Sequence, residues 1–182
     1  MRKPLPTVLA GLGLALLAAC ATAPTGRTQF ILVGDADMAR MGATAFDQVK
    51  ASGKLSTDAG QLRTVRCVSD ALVAQLPPAW RQQPWEVVVL ADDSANAFAL
   101  PGGKVGVHAG LLKLAADQDQ LAAVIGHELA HVVSRHAAER VSQRFAADTA
   151  LKVLDGATGG ERRTLLGLLG VGAQAGVLLP FS

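Results

Sequence analysis

The chain has 182 residues, half of them hydrophobic, which is enough for one domain with a sizeable core. Its 17 basic residues exceed its 15 acidic ones by two, and Arg2 and Lys3 at the amino terminus account for that excess. The rest is electrically balanced, which removes any bulk electrostatic case for binding nucleic acid.

After Arg2 and Lys3 comes an apolar run over 5–17, and Leu17-Ala18-Ala19-Cys20 closes it with small residues before a cysteine. This is the pattern of a bacterial lipoprotein signal, in which residues 1–19 are removed and Cys20 is lipidated on its thiol and its new amino group. The alternative is a retained membrane span, which calls for roughly 18 apolar residues and a longer run than this one. Ala21 after Cys20, rather than Asp, resembles outer-membrane sorting in Gram-negative bacteria, which places the anchor on the periplasmic face of that membrane. With Cys20 carrying lipid, Cys67 has no intramolecular partner and no disulfide framework exists. Its setting among Leu62, Val65, Val68 and Leu72 reads as a small core residue rather than a nucleophile.

Residues 20–28 are small and polar and suit a lipidated tether, leaving 29–182 as the folded domain. Residues 29–33 read as a short strand or docking segment. Asp35 or Asp37 caps a helix to about Ala51, with Met38, Met41, Ala45, Phe46 and Val49 inward. A second helix starts near Ser56 or Asp58 and runs to Leu76, where Pro77-Pro78 stops it. Residues 85–90, 96–100 and 104–108 read as three short strands, with Pro101-Gly102-Gly103 turning between the last two. A small antiparallel sheet or hairpin is the economical assembly. Two roles stay open for it: scaffolding, or an edge strand that pairs with an extended peptide, in which short Ala97 and Ala99 permit close approach. Lone His108 at the strand end reads as a satisfied structural histidine.

Residues 117–120 begin a long helix with carboxylates at its positive end. Leu121, Val124, Ile125, Leu129, Val132 and Val133 form its packing face, and it contains His127-Glu128-Leu129-Ala130-His131, an H-E-x-x-H pattern. On a helix, positions four apart differ by about 40° around the axis and about 6 Å along it, so His127 and His131 project from one face, as a shared metal needs. Glu128 is turned about 100° from His127, outside the first coordination shell yet close enough to serve as a general base. The competing explanation is chance spacing on the polar edge of a core helix. If the helix continues unbroken, His136 lies about 180° from His127 and does not join the pair; it then satisfies a buried polar contact or marks the helix end. Ser134 and Ala137 stand where the longer metzincin signature needs Gly and His. Another helix follows over 139–154, then a flexible break at 156–160. A nearly uncharged stretch over 165–179 comes last, with Gly172 and Gly176 spaced for close helix contact. That stretch is either an inner helix or a segment lying against lipid.

Three stretches together resemble one family, the lipid-anchored members of the HtpX, BepA, LoiP and CAAX prenyl protease group of gluzincin metallopeptidases. They are Thr25-Gly26-Arg27-Thr28-Gln29-Phe30, Asn96-Ala97-Phe98-Ala99-Leu100-Pro101-Gly102-Gly103, and Gly126-His127-Glu128-Leu129-Ala130-His131 with Arg135-His136 following. The resemblance implies an α+β, mostly α, zincin-like domain with a small antiparallel hairpin or sheet beside the H-E-x-x-H helix. It implies one zinc ion held by His127, His131 and a glutamate from a later helix, with Glu128 activating the zinc-bound water. Asn96, Ala97, Phe98 and Ala99 are the corresponding substrate-binding stretch, and the substrates are polypeptides, unfolded or misassembled envelope proteins. In the family the third ligand follows a sequence similar to Leu179-Pro180-Phe181-Ser182, so the expectation here is a carboxy-terminally incomplete domain lacking that ligand. Glu139, Asp148 and Asp155 are the remaining candidate carboxylates. A non-catalytic lipoprotein that holds or assembles envelope proteins is the alternative function.

Overall fold

Two short strands open the computed structural model, which describes residues 20–23 and 26–158. β1 (Cys20–Thr22) and β2 (Thr28–Phe30) pair antiparallel, with Ala21 opposite Gln29 and Gly26 turning between them at φ 81°. The segment read as a tether therefore includes a strand and the turn after it. The secretion signal at 1–19, the carboxylate Glu161 and the apolar stretch at 165–179 lie outside the described residues. Among the described residues no helix is long and apolar enough to cross a membrane.

α1 (Asp35–Ser52) takes Gly34 as its N-cap, not Asp35 or Asp37. Both carboxylates sit instead in the first turn, where they complement the helix dipole. Met38, Gly42 and Phe46 are its buried residues, whereas Met41, expected inside, is 38% exposed. α2 (Ala59–Val73) is capped by Asp58, whose carboxylate accepts from the amides of Gly60 and Gln61. It ends three residues earlier than expected, and turns carry the chain to the short α3 (Pro78–Arg81). Cys67 is exposed, which corrects its assignment to the core. The reason is helical phase: Cys67 stands about 160° round the axis from both Val65 and Ser69, which face inward.

β3 (Glu86–Leu90), β4 (Ala97–Leu100) and β5 (Lys104–His108) form the sheet, in the order β3-β5-β4. The expected antiparallel hairpin forms between β4 and β5, from Ala97 opposite Val107 to Leu100 opposite Lys104. β3, however, pairs parallel to β5, so the sheet is mixed and, among the described residues, β4 is an edge. β5 takes the centre, and both faces of the sheet are covered. Val105 and Val107 join Val87, Val89, Ala97 and Ala99 in a core with α2 and with the later α5 (Gln118–Val133). On the opposite face, Phe98, Leu100 and Leu90 pack with Phe46 of α1. Period-two alternation along each strand thus builds a three-layer arrangement of α1, sheet, and α2 with α5.

After β5, α4 (Ala109–Leu114) leads to α5, and α6 (His136–Thr158) follows almost at once. α6 starts earlier than the expected 139 and continues through Gly156, where a flexible break was expected.

Two glycines probe this packing in opposite directions. A Cβ on Gly106 would lie 2.2 Å from Cζ of Phe98, whereas one on Gly126 of α5 meets only Leu72 Cδ2 at 3.9 Å. Urea denaturation should show Gly106→Ala losing about 1–3 kcal/mol through overpacking. Gly126→Ala should gain about 0.5–1 kcal/mol from helix propensity. The reverse order would contradict this layering.

Candidate metal centre

α5 begins where the sequence places it, with the Asp117 carboxylate accepting from the amide of Gln120. Leu121, Ile125, Leu129 and Val132 follow at spacings of three and four, and each is 5% exposed or less. Burying such side chains stabilises by roughly 1.5–3 kcal/mol each, and it sets the rotation of the helix about its own axis. With that stripe turned inward, His127 and His131 stand together: their ring centroids are 4.6 Å apart and their Nε2 atoms 3.0 Å apart.

Two nitrogens bound to one tetrahedral metal at about 2.0–2.1 Å lie roughly 3.3 Å from each other, so the pair is spaced as an edge of such a shell. The donor set suits zinc, for which neutral imidazole is a common ligand. Burial, reinforced by the charges of His136, His127 and Arg140, holds the His131 imidazole below its ordinary value, favouring the neutral form that binds metal. Glu128 is 2% exposed, and among the described residues its Oε2 has no hydrogen-bond partner. Burial pushes its carboxyl above the ordinary range, while His127 and Arg140 pull in the other direction.

A cleft of about 390 Å³ adjoins these groups, lined by His127, Glu128, Val124, Ala95, Asn96 and Ala97 among others. Of the stretch expected to meet substrate, Asn96 and Ala97 therefore line the cleft. Phe98 does not: its ring packs edge-on against Phe46 with centroids 6.5 Å apart, on the far face of the sheet. Ala99 is buried in the core beneath α5. His108 is satisfied at a distance from the pair, its Nδ1 lying 3.0 Å from Asp92 Oδ1 and 2.7 Å from Ser94 Oγ.

The helix does not run unbroken to His136. α5 stops at Val133, Arg135 adopts φ 56°, and a new helix starts at His136. This turn folds His136 back so that its Nδ1 lies 2.5 Å from Nδ1 of His131, on the side of the ring away from the Nε2 pair. His136 is thus a neighbour of a metal-binding candidate, which straight-helix geometry did not suggest. Burial, followed by the positive charge of Arg27, holds its pKa below the ordinary value.

Glu139 is not free to ligate. Both of its oxygens accept from the Arg27 guanidinium, and Gln29 Nε2 reaches Oε2 at 3.3 Å. Among the described residues no cluster of three His, Cys, Asp or Glu side chains is placed to hold a metal. Arg27 and Gln29 had drawn notice only as part of a string resembling the family. Their contacts tie the amino-terminal strand pair to the start of α6.

Residues 61–182, which include the hairpin and the H-E-x-x-H helix, match the sequence profile of peptidase family M48. The chain belongs to this family. Among similar proteins, a mitochondrial metalloendopeptidase OMA1 from Schizosaccharomyces pombe (strain 972 / ATCC 24843) is 52% identical over 58 residues, covering 32% of this chain and 17% of the relative. A beta-barrel assembly-enhancing protease from Yersinia pestis is 31% identical over 151 residues, 79% of this chain and 30% of the relative. Its Escherichia coli (strain K12) namesake is 29% identical over 105 residues, 58% of this chain and 21% of the relative. The chain spans less than a third of the length of these M48 relatives.

The ion pair beside the centre makes a pH prediction. Hydrogen bonding from Arg27 holds the Glu139 carboxyl below its ordinary value of 4.5, against the opposing effect of burial. Its contribution to stability is therefore complete above that ordinary value and is lost as pH falls through the lowered folded-state value. Thermal melts should show Glu139→Gln less stable than the wild type at neutral pH, with the two converging in acid. A gap that does not depend on pH would show that charge is not what Glu139 contributes.

Proposed function

We propose that this chain carries the centre of a zinc-dependent metalloendopeptidase that cleaves extended segments of unfolded or misassembled envelope proteins. The observation that carries this reading is the convergence of two Nε2 atoms 3.0 Å apart beside a cleft that His127, buried Glu128 and the start of edge strand β4 line. His127 and His131 would hold the metal, with the third protein ligand coming from outside the described residues. When bound, zinc supplies Lewis acidity, polarising a peptide carbonyl and lowering the pKa of water toward about 7.

The chain's own residues do the rest. Backbone groups of an edge strand pair with an extended peptide and recognise its shape more than its side chains, which suits substrates that are unfolded. Asn96 and Ala97 border the space such a peptide would occupy, and the small alanine leaves room for its backbone. Glu128 accepts the proton of the attacking water and returns it to the leaving amine. Its raised pKa favours holding that proton between the two transfers. Similarity to a mitochondrial metalloendopeptidase supports the chemistry, and similarity to a beta-barrel assembly-enhancing protease supports both the chemistry and an envelope setting. Lipid on Cys20 would hold the domain at the periplasmic face of the outer membrane.

Glu128→Gln keeps the shape of the side chain and removes the base. The full-length protein carrying it should bind zinc as the wild type does and lose casein cleavage by about 10²–10⁴-fold. Cleavage at the wild-type rate would refute the assignment of Glu128, and loss of zinc together with cleavage would make it a metal-site residue instead.

A further inference from the structure

The turn between α5 and α6 contains neither glycine nor proline, yet Arg135 sits at φ 56°, which is unfavourable for a residue with a side chain. Such a conformation persists where its surroundings over-determine it. Contacts from the amino-terminal segment do this here. Gln29, itself 1% exposed, donates from Nε2 to the carbonyl of Ser134 at 2.7 Å. Arg27 forks onto both oxygens of Glu139 in the first turn of α6, a geometry that a lysine cannot reproduce. The amides of Leu32 and Val33 donate to Ser142 Oγ one turn further on, and Asp35 pairs with Arg135 itself at 2.5 Å. The product of this docking is the 2.5 Å contact between Nδ1 of His136 and Nδ1 of His131.

A hydrogen bond between two imidazole nitrogens needs one donor and one acceptor. For His131 to offer a lone pair at Nε2, its proton must be on Nδ1, and His136 must accept that proton's hydrogen bond. The facing contact between the Nε2 atoms of His127 and His131 fits the same pattern in the metal-free protein, with His127 as donor.

We propose that Arg27 and Gln29 are positioning residues for the metal centre: by docking β2 on the 134–139 turn they hold His136 against His131, fixing His131 as its Nδ1–H tautomer with Nε2 open to metal. The amino-terminal hairpin is then part of the active centre although it touches neither candidate metal-binding nitrogen. This deepens the peptidase reading, because it takes His131 as a metal ligand. Its first readout, the His131 tautomer, is taken without metal or substrate, so the two can fail separately.

Side-chain nitrogen NMR of the metal-free full chain reads the tautomer directly. The wild type should show His131 protonated at Nδ1. Gln29→Leu removes the donor to Ser134 while keeping bulk, and Arg27→Ala removes the fork. Each should return His131 to a mixture dominated by the Nε2–H form, and each should weaken zinc binding by about 10–100-fold. Asp58→Ala serves as the control, since it removes the cap of α2, lowers the melting temperature and should leave the tautomer unchanged. Should Arg27→Ala fail to fold, Gln29→Leu decides alone. A wild-type His131 protonated at Nε2, or a tautomer and zinc affinity unchanged in folded Gln29→Leu, overturns the proposal.

Discussion

Everything at the candidate centre depends on how α5 is rotated about its axis. Leu121, Ile125, Leu129 and Val132 bury a narrow stripe against β4, β5 and α2, and the sum of those burials far exceeds any single polar contact near the site. Once that stripe is inward, the direction of His127 and His131 is no longer adjustable. A small rotation of the helix would expose part of the stripe, while the Nε2 pair would lose its common focus. The two imidazoles are thus aimed at one another by hydrophobic packing.

The second constraint is electrostatic. Glu128 is buried beside the pair with one oxygen unpartnered among the described residues, and that arrangement costs free energy unless something in the functional state uses the oxygen. Arg140 and His127 temper the cost by their charge, yet neither makes a hydrogen bond that satisfies Oε2. A carboxylate kept partly desolvated next to a cleft is the kind of compromise that active centres maintain. The edge strand β4 completes the setting because its neighbour β5 is central: one side of β4 is paired and its start opens on the cleft.

Much of this was legible in the residues. Asp58 and Asp117 announced two helix starts, the short β-branched run in 85–90 and the turn before 104–108 announced strands, and H-E-x-x-H spacing placed two imidazoles on one face. What escaped the sequence shares a physical cause, which is dependence on contacts distant along the chain. A helix end near His136 was expected, but not the turn at Arg135 that folds His136 back, because the contacts that hold it come from Gln29, Arg27 and Asp35, about a hundred residues earlier. Parallel pairing of β3 with β5 was not legible either, where a small antiparallel sheet or hairpin was expected. Glu139 looked available as a ligand until Arg27 was found on it, and Cys67 looked internal until the phase of α2 was settled by Val65 and Ser69. Local signals in this chain report elements well; they are silent on which elements clamp which.

The most direct measurement is a crystal structure of the zinc-loaded full-length protein with anomalous data at the zinc edge. The account predicts one peak about 2.0–2.1 Å from Nε2 of both His127 and His131, with His136 still against Nδ1 of His131 and Glu128 close by but not ligating. Zinc bound elsewhere, or bound through His136 with α5 and α6 merged into one straight helix, would contradict it.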